Sequence, residues 1–172
     1  MYMYYYDSPM GVMKLCADEE SLLGVWFDEE RIAEASLEIE AIENLHDNKH
    51  ISDAVCWLDE YFAGNVPSFT PKLKLQGSEF RKTVSEIMLK IPYGELSTYG
   101  EIANEVAMRI GKDRMSAQAV GGAVGSNEFS IIVPCHRVVG KGGKLTGYAG
   151  GMDKKVYLLR HEGVDFEKYN LR

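Results

Sequence analysis

The chain is poor in cysteine, in long apolar runs and, over its first 70 residues, in positive charge. Its three cysteines, Cys16, Cys56 and Cys135, are odd in number and widely spaced, with no Cys-x-x-Cys pair among them. That excludes a disulfide framework and a zinc cluster and fits a reducing compartment. No apolar run approaches the roughly 18 residues of a membrane span. The opening Met1-Tyr2-Met3-Tyr4-Tyr5-Tyr6 lacks the basic segment of a secretory signal, so the expected location is the cytoplasm. Of 172 residues, 45% are hydrophobic and 26% charged, which sets aside disordered and collagenous classes and leaves one domain or two small ones. Residues 1–70 hold three basic residues, Lys14, Arg31 and Lys49, against fifteen acidic ones, a net of −12. Residues 71–172 hold sixteen against eleven, a net of +5, so the total of −7 hides a mildly basic C-terminal part able to approach a phosphate backbone.

What is present divides the same way. Val12–Cys16 and Leu22–Phe27 flank the turn-like Asp18-Glu19-Glu20-Ser21 and predict a β-hairpin, to which Tyr2–Tyr6 could add an edge strand. Arg31–Leu45 is acidic and ambiguous. Ile51, Val55, Leu58 and Phe62 recur at helical spacing behind Ser52, a plausible N-cap, and Gly64-Asn65-Val66-Pro67-Ser68 ends that helix. Cys16 and Cys56 fall in these apolar patterns and are expected to be buried. A linker-like stretch, Phe69–Gly77, follows. Beyond it, Phe80, Val84, Ile87 and Met88 predict an amphipathic helix stopped before Ile91-Pro92-Tyr93-Gly94. Thr98-Tyr99-Gly100-Glu101 has the form of a capping box. Ser116 can cap a further helix over 117–124, and the pair resembles a helix-turn-helix. Gly121-Gly122 inside that helix costs about 1 kcal/mol per glycine relative to alanine. Such small residues have two readings: close helix packing, or a backbone that presses into a DNA groove, most plausibly the minor one.

The chemistry concentrates at Pro134-Cys135-His136-Arg137. A cysteine beside His and Arg sits where positive potential favours the nucleophilic thiolate, although a buried cysteine next to a salt-bridged His-Arg pair is the bland alternative. Neighbouring side chains often point apart, so His136 would act on Cys135 through a water. A base needs an orienting partner, and Glu162, after a final helix over 153–160, is the strongest carboxylate candidate.

Five segments in order then resemble the methylated-DNA–protein-cysteine methyltransferases, the O6-alkylguanine-DNA alkyltransferase family. They are Ile91-Pro92-Tyr93-Gly94 with Ser97-Thr98-Tyr99; Ala119-Val120-Gly121-Gly122-Ala123 with Asn127; Pro134-Cys135-His136-Arg137-Val138-Val139; Gly147-Tyr148-Ala149-Gly150-Gly151; and Leu158-Leu159 with His161-Glu162-Gly163. The resemblance implies an α/β (α+β) protein. A small N-terminal α/β domain with linker, 1–76, contains the antiparallel hairpin and is ribonuclease H-like. A mainly helical C-terminal domain, 77–172, bears a winged-helix-like helix-turn-helix. It further implies single-turnover DNA repair: an O6-alkylguanine is rotated out of duplex DNA, contacted from the minor groove, and its alkyl group moves to Cys135. O4-alkylthymine is a possible second substrate. His136 is then the water-mediated base, Glu162 its holder, Asn127 the brace of the cysteine turn, and Tyr99 a hydrogen-bond donor to the leaving guanine. Tyr148 walls the pocket, and the main chains of Cys135, Val138 and Ala149 read the guanine edge. Thr98, Gln118, Ala119, Gly121, Gly122, Ala123, Arg137 and Gly150 complete the expected DNA and substrate contacts. A monomer is expected, with no metal, no cofactor and no membrane partner.

Three positions depart from the family pattern. Gln118 stands where better-known members have an arginine that fills the gap left by the rotated base, and an amide lacks the guanidinium's charge and stacking plane. Ala149 replaces a serine. Glu128 replaces a proline and puts a carboxylate near the expected DNA side. Other classes remain as alternatives: a protein of the same fold that binds alkylated bases without transfer, a cysteine hydrolase, and a helix-turn-helix regulator. The first conflicts with Cys135, the second lacks an oxyanion motif, and the third lacks a dimerisation element.

Overall fold

Alternating Tyr, Met and Cys positions build the N-terminal sheet. In the computed structural model, which describes residues 1–27 and 39–172, the strands are β1 (Tyr2–Ser8), β2 (Gly11–Ala17), β3 (Leu22–Trp26) and β4 (Glu40–Ala41), in the order β3-β2-β1-β4. The predicted hairpin is β2 and β3, antiparallel, with Lys14 opposite Trp26 and a bulge at Cys16/Ala17. β1 pairs antiparallel with β2 and, at Tyr2 and Met3, parallel with β4. It is therefore not an edge strand at that end, because β4 supplies a second partner. The ambiguous segment from Arg31 lies largely outside the described residues.

The helix that covers this sheet, α1 (Lys49–Phe62), starts earlier than its apolar pattern suggests. Asn48, not Ser52, is the cap: its side-chain oxygen accepts the N–H groups of His50 and Ile51 at 3.0 and 3.1 Å. Ile51, Ala54, Val55, Trp57, Leu58 and Tyr61 form its buried face, against which Met13 and Leu15 of β2 are also buried. Cys56 is exposed, contrary to expectation, because it lies off that face; Cys16 is buried as expected. Residues 128–130 belong to this compact unit together with 1–75. The Glu128 and Ser130 main chains bracket Val25, and the Glu128 carboxylate accepts Trp26 Nε1–H at 2.7 Å. That indole bond engages the carboxylate that stands where the family pattern has proline.

The second unit, 76–127 with 131–172, contains α2 (Glu79–Met88), β5 (Ser97–Thr98), α3 (Tyr99–Arg109), α4 (Ala117–Gly125), β6 (Val138–Val139) and α5 (Met152–His161). Val84, Ile87 and Met88 of α2, Ile102 and Val106 of α3, and Val120 and Val124 of α4 form its core. The capping box is present in full, with Glu101 N–H on Thr98 Oγ1 at 3.1 Å and Thr98 N–H on Glu101 Oε2 at 2.6 Å. Ser116 caps α4 as expected. The short strands β5 and β6 pair in parallel, Ser97 with Val138 and Thr98 with Val139, which fastens the start of α3 to the chain just after Cys135. No helix among the described residues is long and apolar enough to cross a membrane.

Candidate active site

Cys135 begins a single 3-10 turn, Cys135–Arg137, entered through a constrained approach. Ile131 holds φ at +71°, a left-handed conformation that strains a β-branched residue, and it is fully buried. Pro134 then fixes φ at −81° at the head of the turn. Asn127, after the end of α4, donates Nδ2–H to Val133 O at 2.9 Å and to Cys135 Sγ at 3.1 Å. A donor aimed at sulfur favours negative charge there.

The next two residues converge on one carboxylate. Glu162, the C-cap of α5, accepts from His136 Nε2 at 2.6 Å, Arg137 Nε at 2.9 Å, Arg137 Nη2 at 3.0 Å and the Gly94 N–H at 3.0 Å. Burial alone would raise the Glu162 pKa, but the hydrogen bond and charge of His136 and those of Arg137 outweigh it, holding the group well below the usual carboxylate range. Burial of His136 works the other way and lowers its pKa, so the imidazole is neutral near pH 7. With an ionised carboxylate on one side, the ring proton sits on Nε2. Nδ1 is left with a lone pair that meets no hydrogen-bond partner among the described residues. The His136 hydrogen bond and the Arg137 guanidinium together hold Glu162 in its ionised form.

Beside this cluster, α3, α4 and the loop 141–147 line a cavity of about 790 Å³, whose walls include Thr98, Tyr99, Gln118, Gly121, Thr146 and Gly147. Cys135, 6% exposed, does not line it. The Tyr99 hydroxyl lies 3.5 Å from Thr146 O and 3.4 Å from Thr146 Oγ1.

Models of two domains of one family match successive parts of the chain. The 6-O-methylguanine DNA methyltransferase ribonuclease-like domain covers residues 1–75, and the DNA binding domain of the same enzyme covers 79–164. The chain belongs to the methylated-DNA–protein-cysteine methyltransferase family. A methylated-DNA–protein-cysteine methyltransferase of Methanosarcina acetivorans is 44% identical over 95% of this chain and 99% of its own length. One from Haemophilus influenzae is 38% identical over 96% and 88%. The crystal structure of Mycobacterium tuberculosis OGT in complex with DNA superposes with a TM-score of 0.80 at 37% identity, covering 94% of this chain and 92% of that one.

Against the family expectation, the site residues separate by burial. Ser116, Ala117, Gln118, Ala119 and Gly122 are exposed on the first turns of α4, and Tyr148, Ala149 and Gly150 form a turn closed by Gly151 N–H on Tyr148 O. A Cβ on Gly122 would meet nothing within 4 Å, so close helix packing does not account for that glycine. A Cβ on Gly121 would lie 3.9 Å from the Tyr99 ring. Two members of the expected DNA-contact set point inward. Arg137, 8% exposed, is consumed by Glu162 and by Ile91 O at 2.6 Å, and Ala123 is packed into the core. An Arg in a basic half reads as a phosphate ligand only until its buried carboxylate partner is located.

Sequence reasoning also missed Gly94, whose φ of +75° and whose position 3.0 Å from Glu162 O, measured from a would-be Cβ, admit only glycine. It missed Lys155 as well. That lysine occupies the inward phase of α5 beside Leu158 and Leu159, and a charge at an apolar phase is the signal that could have found it.

Proposed function

We propose that the protein repairs DNA by moving the alkyl group of an O6-alkylguanine irreversibly onto Cys135. The observation that carries this reading is the Cys135–His136 pair in one 3-10 turn, with Asn127 on the sulfur and Glu162 on the imidazole. Neutral His136 accepts the thiol proton at Nδ1, through a bridging water, while Glu162 stabilises the imidazolium that forms. The thiolate attacks the alkyl carbon, the carbon–O6 bond breaks, and its electron pair returns to the purine. Tyr99 donates a hydrogen bond to the departing base as it takes up that charge; the base then takes one proton from water and the His136 imidazolium returns its proton to solvent, so the thiol's proton is in effect passed to the guanine. The products are a thioether and an intact guanine, so the step balances without oxidant, cofactor or second substrate, and each molecule acts once.

The relative from Mycobacterium tuberculosis solved with DNA supports a duplex as the partner. On this reading the exposed first turns of α4 meet the minor groove, Gln118 fills the space left by the rotated nucleotide, and Tyr148 with the main chains of Cys135, Val138 and Ala149 surrounds the base. Residues 1–76 support a working domain of 77–172. Every acting group comes from one chain, which suits a monomer, and the cytoplasm suits three widely spaced cysteines with no Cys-x-x-Cys pair.

The test is mass spectrometry of the protein after mixing with a duplex containing O6-methylguanine. Cys135 gains one methyl group, and Cys135→Ala gains none. An active, folded protein left unmodified, or a Cys135→Ala chain that still takes up the methyl group, overturns the reading.

A further inference from the structure

Glu128, Phe129 and Ser130 lie between Asn127, whose amide meets the Cys135 sulfur, and Ile131, the buried residue with φ at +71°. These three pack with residues 1–75 rather than with the stretches on either side of them. Their main chain is held by β3: Val25 N–H donates to Glu128 O at 2.8 Å, Ser130 N–H donates to Val25 O at 2.9 Å, and Phe129 pairs with Val25 in a parallel bridge. One side-chain bond is added at the first residue of the segment, where Trp26 Nε1–H donates to Glu128 Oε2 at 2.7 Å across 102 residues of sequence. The indole is itself seated, because it lies over Gly24, where a Cβ would collide with the ring. The donor is therefore fixed, and it acts on the peptide neighbour of Asn127. That neighbour matters because the Asn127 amide makes both contacts that brace the cysteine turn, to Val133 O at 2.9 Å and to Cys135 Sγ at 3.1 Å.

We propose that Trp26 and Glu128 are positioning residues for the nucleophile: by anchoring the residue next to Asn127, their hydrogen bond holds the Asn127 amide on the Cys135 sulfur. The inference rests on the alkyl-transfer reading above and assigns neither residue a contact with the substrate. The path is short. It runs from the indole to the Glu128 side chain, along one peptide link to Asn127, and from its amide to Sγ. A donor held on sulfur favours the thiolate, so an amide set loose raises the thiol pKa and weakens the nucleophile. Displacing the sulfur by a fraction of an ångström slows the chemistry further. What Glu128 supplies is an acceptor oxygen rather than its charge, so the amide oxygen of a glutamine does the same work.

The experiment uses the full chain and compares wild type with Trp26→Phe, Glu128→Ala, Glu128→Gln and the double variant Trp26→Phe/Glu128→Ala, with Tm recorded for each. Two rates are read. One is single-turnover transfer from an O6-methylguanine duplex at saturating DNA. The other is alkylation of Cys135 by iodoacetamide as a function of pH without DNA, located by peptide mass spectrometry so that Cys16 and Cys56 do not contribute. Trp26→Phe and Glu128→Ala each slow transfer by about fivefold or more and move the midpoint of alkylation up by about half a pH unit or more. Glu128→Gln stays within about twofold of wild type, and the double variant is little slower than the slower single one, because both changes break the same bond. Wild-type rates and midpoints in Trp26→Phe and Glu128→Ala overturn the proposal, as do effects that multiply. A glutamine variant as impaired as the alanine one overturns it in favour of the charge, and failure of both Trp26→Phe and Glu128→Ala to fold overturns it in favour of a purely structural bond. A wild-type chain that transfers nothing refutes the alkyl-transfer reading, whereas unshifted iodoacetamide midpoints, which need no alkylated DNA, refute this inference alone.

Discussion

Arg137 binds Glu162 with two N–H groups, Nε to Oε2 at 2.9 Å and Nη2 to Oε1 at 3.0 Å, and both side chains are buried. The fork geometry matches a carboxylate, and the pairing leaves Oε1 able to accept His136 as well. A carboxylate at a helix C-terminus opposes the macrodipole. Arg137 offsets that and keeps Glu162 ionised in a dry site.

Removing the arginine strands a buried charge. Arg137→Met is expected to lower stability by about 3–5 kcal/mol, measured by urea denaturation. Because Arg137 touches no phosphate on this reading, the salt dependence of duplex binding by the folded variant is unchanged. A slope reduced by about one unit would instead identify a phosphate contact.

Acid should uncouple the same cluster. Glu162 has a depressed pKa, so its contribution to stability is present above the ordinary carboxylate range and is lost as pH falls below it. His136, also depressed, adds a loss that begins as pH falls below about 6.5. Thermal unfolding of wild type therefore drops from pH 5 to pH 3 more steeply than that of Glu162→Gln, in which the carboxylate no longer titrates.

Lys155 gives the opposite limb. Its pKa falls from 10.5 to about 8 on folding, so between those values the unfolded chain holds more protons and stability from this group rises with pH. The difference in unfolding free energy between wild type and Lys155→Met should grow in favour of wild type from pH 7.5 to 9.5, by on the order of 1–3 kcal/mol. A constant difference shows that the ammonium is not desolvated.

Gly94→Ala tests the backbone route to Glu162. The positive φ and the 3.0 Å approach to Glu162 O make a Cβ costly by about 1–3 kcal/mol. Transfer should slow even at temperatures where the variant remains folded, because the N–H on Oε2 moves away.

Much of this arrangement was legible in the residues. The Thr98–Glu101 capping box, the Ser116 cap and the hairpin follow from local rules, because each is satisfied within a few residues. Cys135, His136 and Glu162 could be named from chemistry and family resemblance. What resisted reading was long-range pairing. Arg137 resembles a DNA ligand until Glu162 arrives from 25 residues away, and Lys155 resembles a surface lysine until Val138 O is found 17 residues back. Asn48 outcompeted Ser52 because capping depends on where the backbone leaves the extended region, and periodicity does not mark that point.

Gln118 occupies the exposed first turn of α4. Gln118→Arg is expected to tighten binding to a duplex several-fold in fluorescence anisotropy, since a guanidinium adds charge and a stacking plane. Unchanged or weaker binding would place the gap-filling side chain elsewhere.

Gly122 faces open space from a helix that alanine would strengthen by about 1 kcal/mol. The free protein gains nothing from that glycine, so a screen for thermal stability alone would discard it, and the variants it selected would be firmer folds with a blunted surface. Sequence optimisation of this helix needs the duplex present in the selection.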